Sequence, residues 1–105
     1  MVLSFALLVY GDEDAPGPPD AATVGAELVL RFLPSTTSLT WRRGRAIDGP
    51  VSSGRIQLLG LVLVDCDGLD AALGRAEALA RGDPRVRGVE LRPLDRTIVA
   101  SPAGS

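Results

Sequence analysis

Two stretches of this chain leave little freedom in how it folds. Val2 to Tyr10 is apolar except for Ser4, and Leu58 to Val64 is a second continuous apolar run. Runs of this length match strands buried on both faces better than amphipathic helices. In the first run Leu3, Phe5, Leu7 and Val9 point one way, and Val2, Ser4, Ala6, Leu8 and Tyr10 point the other. The fold must therefore cover both faces of at least two central strands.

The segments between them supply the other elements. Gly11 to Pro19 is acidic and then rich in Pro and Gly, so it predicts a loop. A helix is expected from about Pro19 or Asp20, with Val24, Leu28 and Phe32 on one face, weakened by Gly25 and stopped by Pro34. Thr36 to Arg42 predicts a strand, Arg43-Gly44 a turn, and Arg45 to Asp48 a short partner strand closed by Gly49-Pro50. The second helix is the clearest. Asp67 can cap it with Asp70 three residues on, and Leu69, Ala72, Leu73, Ala76, Leu79 and Ala80 form its apolar stripe. Gly82 is expected at its C′ position, with Pro84 following. Val86 to Leu94 predicts the last strand.

The length, 105 residues, suits one domain, drawn here as 1–95 with a tail at 96–105 that has room for an edge strand at Thr97 to Ala100. The element order is read as β-α-β-β-α-β with short middle strands. That is an α+β, ferredoxin-like fold: an antiparallel sheet with two helices on one face. Two helices cover one face only. The other face would stay apolar, where an antiparallel sheet is normally polar and solvated. An exposed apolar face marks an interface, so a two-fold homodimer, sheet against sheet, is expected.

Composition excludes more chemistry than it suggests. All eleven basic residues are Arg, and there is neither Lys nor His. Schiff-base lysine chemistry, Ser-His and Cys-His nucleophile pairs and most zinc sites are therefore excluded. The single Cys66 permits no internal disulfide, so the fold does not depend on an oxidising compartment. The net charge of −2 argues against nucleic acid and anionic membranes as partners. The apolar N-terminal run lacks a basic leader and is too short to span a bilayer, so the cytoplasm is the expected compartment. Asp65 to Asp70 fails as a calcium loop, because the sixth position is Asp70 and the twelfth is Ala76. No metal or cofactor is expected.

A few residues are candidates for a site. Asp48 ends a hairpin strand beside Gly49-Pro50 and can serve as a general base or ligand anchor; alternatively, it caps the turn. Tyr10 ends the first strand and Asp12 follows; they can line a pocket mouth, or Tyr10 can be core packing. Trp41, Arg42, Arg43 and Arg45 form a basic-aromatic cluster. The cluster is too small for a nucleic-acid footprint, so a solvated turn with Trp41 packed inward is expected, with Arg45 available to an anionic ligand.

The chain resembles the YCII-related proteins, in particular their DGPF-domain branch. Leu7-Leu8-Val9-Tyr10-Gly11-Asp12-Glu13 is similar to that branch's first strand, and Ile47-Asp48-Gly49-Pro50-Val51 stands where its Asp-Gly-Pro-Phe hairpin ends. Gly60 to Asp65, Leu69-Asp70-Ala71-Ala72 and Gly88 to Leu94 are similar to its later strand, helix start and final strand. The resemblance implies a ferredoxin-like unit that dimerises into an α/β barrel. It departs at Val51 in place of Phe and at Ser52 to Gln57, where an acidic, lysine-bearing stretch is usual. Some relatives carry a His-Asp pair proposed as an active site, which a chain without His lacks. The functional expectation is a non-catalytic dimeric module that binds a small anionic ligand or a partner protein, in a regulatory setting. The alternative is a small lyase- or isomerase-like enzyme using Asp48, with Arg45 or Tyr10 positioning an anionic substrate.

Overall fold

A computed structural model of the chain describes residues 3–14, 25–52 and 54–95. Both apolar runs become the central strands, β1 (Leu3–Asp12) and β5 (Ile56–Cys66). Between them come β2 (Leu28–Arg31), a short 3₁₀ turn (Ser35–Thr37), β3 (Leu39–Arg42) and β4 (Arg45–Asp48); after them come α1 (Leu69–Gly82) and β6 (Val86–Pro93). The main sheet has the order β2-β5-β1-β6, with every neighbouring pair antiparallel. Consequently β5 and β6 run parallel, with β1 inserted between them and α1 as the connection. The fold is α+β, with one helix among the described residues.

Alternation sorts the side chains as the first run predicts. Phe5, Leu7 and Val9 join Val62, Val64 and Cys66 on one face, where Ala72, Ala76 and Leu79 of α1 cover them. Full burial of each large apolar side chain is worth about 1.5–3 kcal/mol, so this cluster holds the helix on the sheet. Leu69 and Leu73, expected on the same stripe, are 61% and 48% exposed. The opposite face carries no described layer. There Leu28 and Leu30 of β2 pair with Leu63 and Leu61 of β5, which pair in turn with Ala6 and Leu8 of β1. The apolar stripe expected on the uncovered face is present. Leu28 and Leu30 are 45% and 43% exposed. Polar pairs border it, Ser4 Oγ donating to Asp65 at 2.6 Å and Arg92 bridging to Glu90 at 2.9 Å.

Several local expectations need correction. The helix expected to carry Leu28 and Phe32 is absent there; its earlier part, from about residue 19 to 24, lies outside the described residues. Leu28–Arg31 is instead an edge strand. Glu27 N–H donates to the Leu63 carbonyl and Phe32 N–H to that of Leu59, extending the pairing at both ends. Gly25, at φ 62°, sits in the left-handed region that L side chains avoid, and a helix cannot run through it. The pattern Leu28, Leu30, Phe32 satisfies a period of two as well as Leu28 and Phe32 satisfy a turn of helix. The edge of a sheet with apolar residues to offer on both faces decides between them.

The β3–β4 hairpin was expected among the strands of the main sheet; it forms a two-stranded sheet of its own. Its turn, Arg43 at φ 52° and Gly44 at φ 81°, has the two positive φ values of a tight hairpin turn matched to strand twist. With no described element layered on that side chain, Trp41 is 73% exposed rather than packed inward. At α1 the N-cap is Gly68, and no side chain caps it; Asp67 is exposed in the turn that leaves β5. Gly82 is the last helical residue, and Asp83 ends the helix in an extended conformation. The physical reason is Pro84, whose ring disfavours helical geometry in the residue before it. The tail strand expected at Thr97 to Ala100 lies outside the described residues.

Candidate functional site

The site begins with an irregularity between the central strands. Val9 pairs with Gly60 but Tyr10 pairs with Leu58, so Leu59 is an extra residue in β5. Such a bulge bends and twists the strand that carries it. Leu59 turns into the core, 5% exposed, against Gly11. Past the bulge Tyr10, Leu58 and Ile56 lie at the end of the uncovered sheet face.

There they form part of a cleft of about 730 Å³. Tyr10, Ile56, Gln57 and Leu58 come from the central strands; Arg31 ends β2, and Phe32 and Leu33 follow it. The far wall is the 3₁₀ turn and the start of β3, with Pro50, Val51 and Ser52 beyond the hairpin. The volume falls within the range of about 300–1,000 Å³ usual for small-molecule pockets.

The walls are held by the cleft's own polar side chains. Thr37 Oγ1 donates to the Pro34 carbonyl at 2.6 Å, and Thr40 Oγ1 donates to the Gly49 carbonyl at 2.7 Å. Gln57, 6% exposed, donates through Nε2 to the carbonyls of Ser52 and Gly54, both at 2.6 Å. Gln57 thereby ties the segment after Pro50 to the start of β5. Among the described residues one charged side chain, Arg31, lines the cleft, and no acidic one does. No hydrogen bond or ion pair joins the Arg31 guanidinium to another described residue.

The candidates drawn from the sequence do not assemble around this cleft. Tyr10 lines it. Asp12 lies one strand position past Gly11 and is 3.5 Å from Arg87, as an ion pair. Arg45 and Asp48 are exposed at the two ends of β4, cross-strand from Arg42 and Leu39, and are not among the lining residues. At the turn after Asp48, Gly49 N–H donates to the Ser38 carbonyl and Thr40 Oγ1 donates to the Gly49 carbonyl; no hydrogen bond joins the Asp48 side chain to a described residue. The sequence reasoning missed Arg31, Ser35, Thr40 and Gln57. Arg31 was hidden by the helix assigned to its segment; the period-two pattern of Leu28, Leu30 and Phe32 was the signal that places it at a strand end.

Two other features bear on chemistry. Asp83, 4% exposed beside β6, accepts from Arg85 Nε at 2.7 Å and Nη2 at 2.6 Å. Those bonds from Arg85 hold the carboxyl below the ordinary carboxylate range, against the opposing effect of burial. This pair is remote in sequence from every cleft-lining residue and shapes the turn into β6. Among the described residues no three His, Cys, Asp or Glu side chains gather as a metal site, and no helix is long and apolar enough to cross a membrane.

No known family's sequence model matches the chain. An uncharacterised protein of Rhizobium meliloti is 39% identical over 70 residues, a match that takes in 63% of this chain and 56% of the relative. The chain thus spans little more than half the length of the curated relative it resembles.

Proposed function

We propose that this chain is a non-catalytic, dimeric module that binds a small ligand, built on a ferredoxin-like unit of the YCII-related, DGPF-like kind and serving a regulatory role. The observation that carries the reading is the cleft between the bulged end of the central strands and the β3–β4 hairpin. Its volume suits a small molecule, its walls are mostly apolar, and its Thr37, Thr40 and Gln57 side chains brace the walls. The split β5–α1–β6 connection around β1 supports the ferredoxin-like part, because that fold places the first strand between the two strands of its second βαβ unit. The uncovered stripe of Leu28, Leu30, Leu61 and Leu63 supports the dimer, and through it the α/β barrel. An enzyme using Asp48 gains no support from that residue's place on an exposed hairpin strand.

Protein NMR with a library of small molecules tests the ligand reading. Shift changes are expected to gather at Ser35 to Thr40, Val51-Ser52 and Ile56 to Leu58. Changes spread over the surface, or confined to the Leu61–Leu63 stripe, would refute it.

A further inference from the structure

We infer that the cleft selects a carboxylate with an apolar body, and that Arg31 is the residue that reads the charge. The inference rests on the cleft reading above and adds the chemical class of the ligand. The cleft has a division of labour among its polar groups. The donors of Thr37, Thr40 and Gln57 are committed to backbone carbonyls of their own walls. Arg31 has no such commitment to any described residue, and among the described residues no carboxylate lines the cleft to neutralise it.

A guanidinium presents two parallel N–H bonds in a plane, which matches a carboxylate. A lone Arg balances one negative charge. A doubly charged phosphate is usually met by several cations or by backbone N–H groups at a helix N-terminus. The lining residues offer neither: Arg31 is their single cation, and the 3₁₀ turn is three residues long. The rest of the lining adds the neutral hydroxyls of Tyr10, Ser35, Ser38 and Ser52 to apolar side chains, of which Phe32, Leu33, Leu39, Val51 and Ile56 are exposed. A monoanion with an aryl or alkyl body satisfies both parts.

The test uses a panel of aryl and alkyl carboxylates, phenylbutyrate among them, each paired with its own neutral primary amide. Affinities are measured by NMR titration near neutral pH for the wild-type chain, Arg31→Gln and Arg31→Lys. In the wild type each carboxylate is expected to bind at least about tenfold more tightly than its amide, the value of one charge-assisted contact. Arg31→Gln is expected to bring each pair level while leaving the amides where they were. Arg31→Lys keeps the charge but loses the fork, and is expected to retain part of the preference. If carboxylate and amide bind the cleft equally in the wild type, or if Arg31→Gln keeps the preference, the inference falls and the cleft reading stands. If no member of the panel shifts Ser35 to Thr40 or Ile56 to Leu58, both fall.

Discussion

Replacing Gly11 by Ala tests how the bulge is packed. Gly11 is needed for space and not for an unusual backbone angle, since it is absent from the glycines at positive φ. A Cβ built there would stand 2.5 Å from Leu59 Cδ1 and 2.6 Å from the Arg85 carbonyl oxygen. Carbon atoms in contact prefer about 3.5–4.0 Å, so both neighbours must retreat by about 1 Å. Leu59 is buried at 5% exposure and has little room to rotate. The Arg85 carbonyl belongs to the turn into β6, whose backbone Asp83 pins by accepting from Arg85 N at 3.0 Å. Overpacking of this kind costs about 1–3 kcal/mol, and a clash with two restrained partners belongs in the upper half. With a urea slope of about 1–3 kcal/mol per M, the midpoint should fall by about 1 M at unchanged slope. Protein concentration must be held fixed, because a dimer's stability depends on it. Leu59→Ala, expected to cost about 2–5 kcal/mol alone, completes a double-mutant cycle. Adding the Gly11 methyl on that background should cost less, because one of its two obstacles is gone, but still something, because the carbonyl remains. A Gly11→Ala protein within about 0.5 kcal/mol of wild type, the range of ordinary surface changes, would show that the bulge yields easily and that the reasoning is wrong.

Two further outcomes follow from the described contacts. Asp83→Asn removes the charge that Arg85 grips; because the Arg85 side chain is 51% exposed and water screens it, the loss at pH 7 should sit at the low end of about 1.5–3 kcal/mol. The folded carboxyl titrates below its unfolded value of about 3.9, so its contribution is complete above that pH and fades as pH falls through the lowered folded value. Urea midpoints of the two proteins should therefore stay apart above about pH 3.9 and converge as the pH falls below it; a gap that stays constant contradicts the pairing. Leu61→Glu places a charge in the middle of the uncovered stripe, and light scattering should show a dimeric wild type and a monomeric, still folded variant. A monomeric wild type at micromolar concentration removes the proposed dimer.

Much of the architecture was written in hydrophobic pattern, and the site was not. Phe5, Leu7, Val9, Ala72, Ala76 and Leu79 could be placed in one core because alternation and helical spacing are local and each was unambiguous. The apolar second face of the sheet was also legible, since the first run left no polar set to present to water. Leu28 to Phe32 was misread because a five-residue segment satisfies both periods, and long-range pairing with Leu59 to Leu63 chose between them. Trp41 is not buried as its residue type suggests, because no described layer covers it on the hairpin. The cleft depends on the Leu59 bulge and on Gln57 gripping carbonyls three and five residues before it. Neither leaves a mark in composition or spacing, whereas Asp48 beside Gly49-Pro50 is conspicuous in the sequence and Arg31 is not.

The uncovered face and the cleft are one surface, which makes their two proposed roles interdependent. Tyr10 and Leu58 face each other in register and are the last members of the stripe that begins at Ala6 and Leu63. They are also lining residues of the cleft. A second copy laid on Leu28, Leu30, Leu61 and Leu63 reaches the rim of the cleft without leaving apolar surface. Leu33, Leu39 and Val51, each more than 70% exposed, stand on that rim and offer it further contact. Closing the rim would dehydrate the ion pair proposed at Arg31, and a charge pair strengthens as water leaves it. A ligand that fills the cleft would in turn add apolar surface to the rim. Were both proposals right, binding and association would favour each other by equal free energies, as linkage requires, and occupancy of the cleft would be read out in the oligomeric state of the chain.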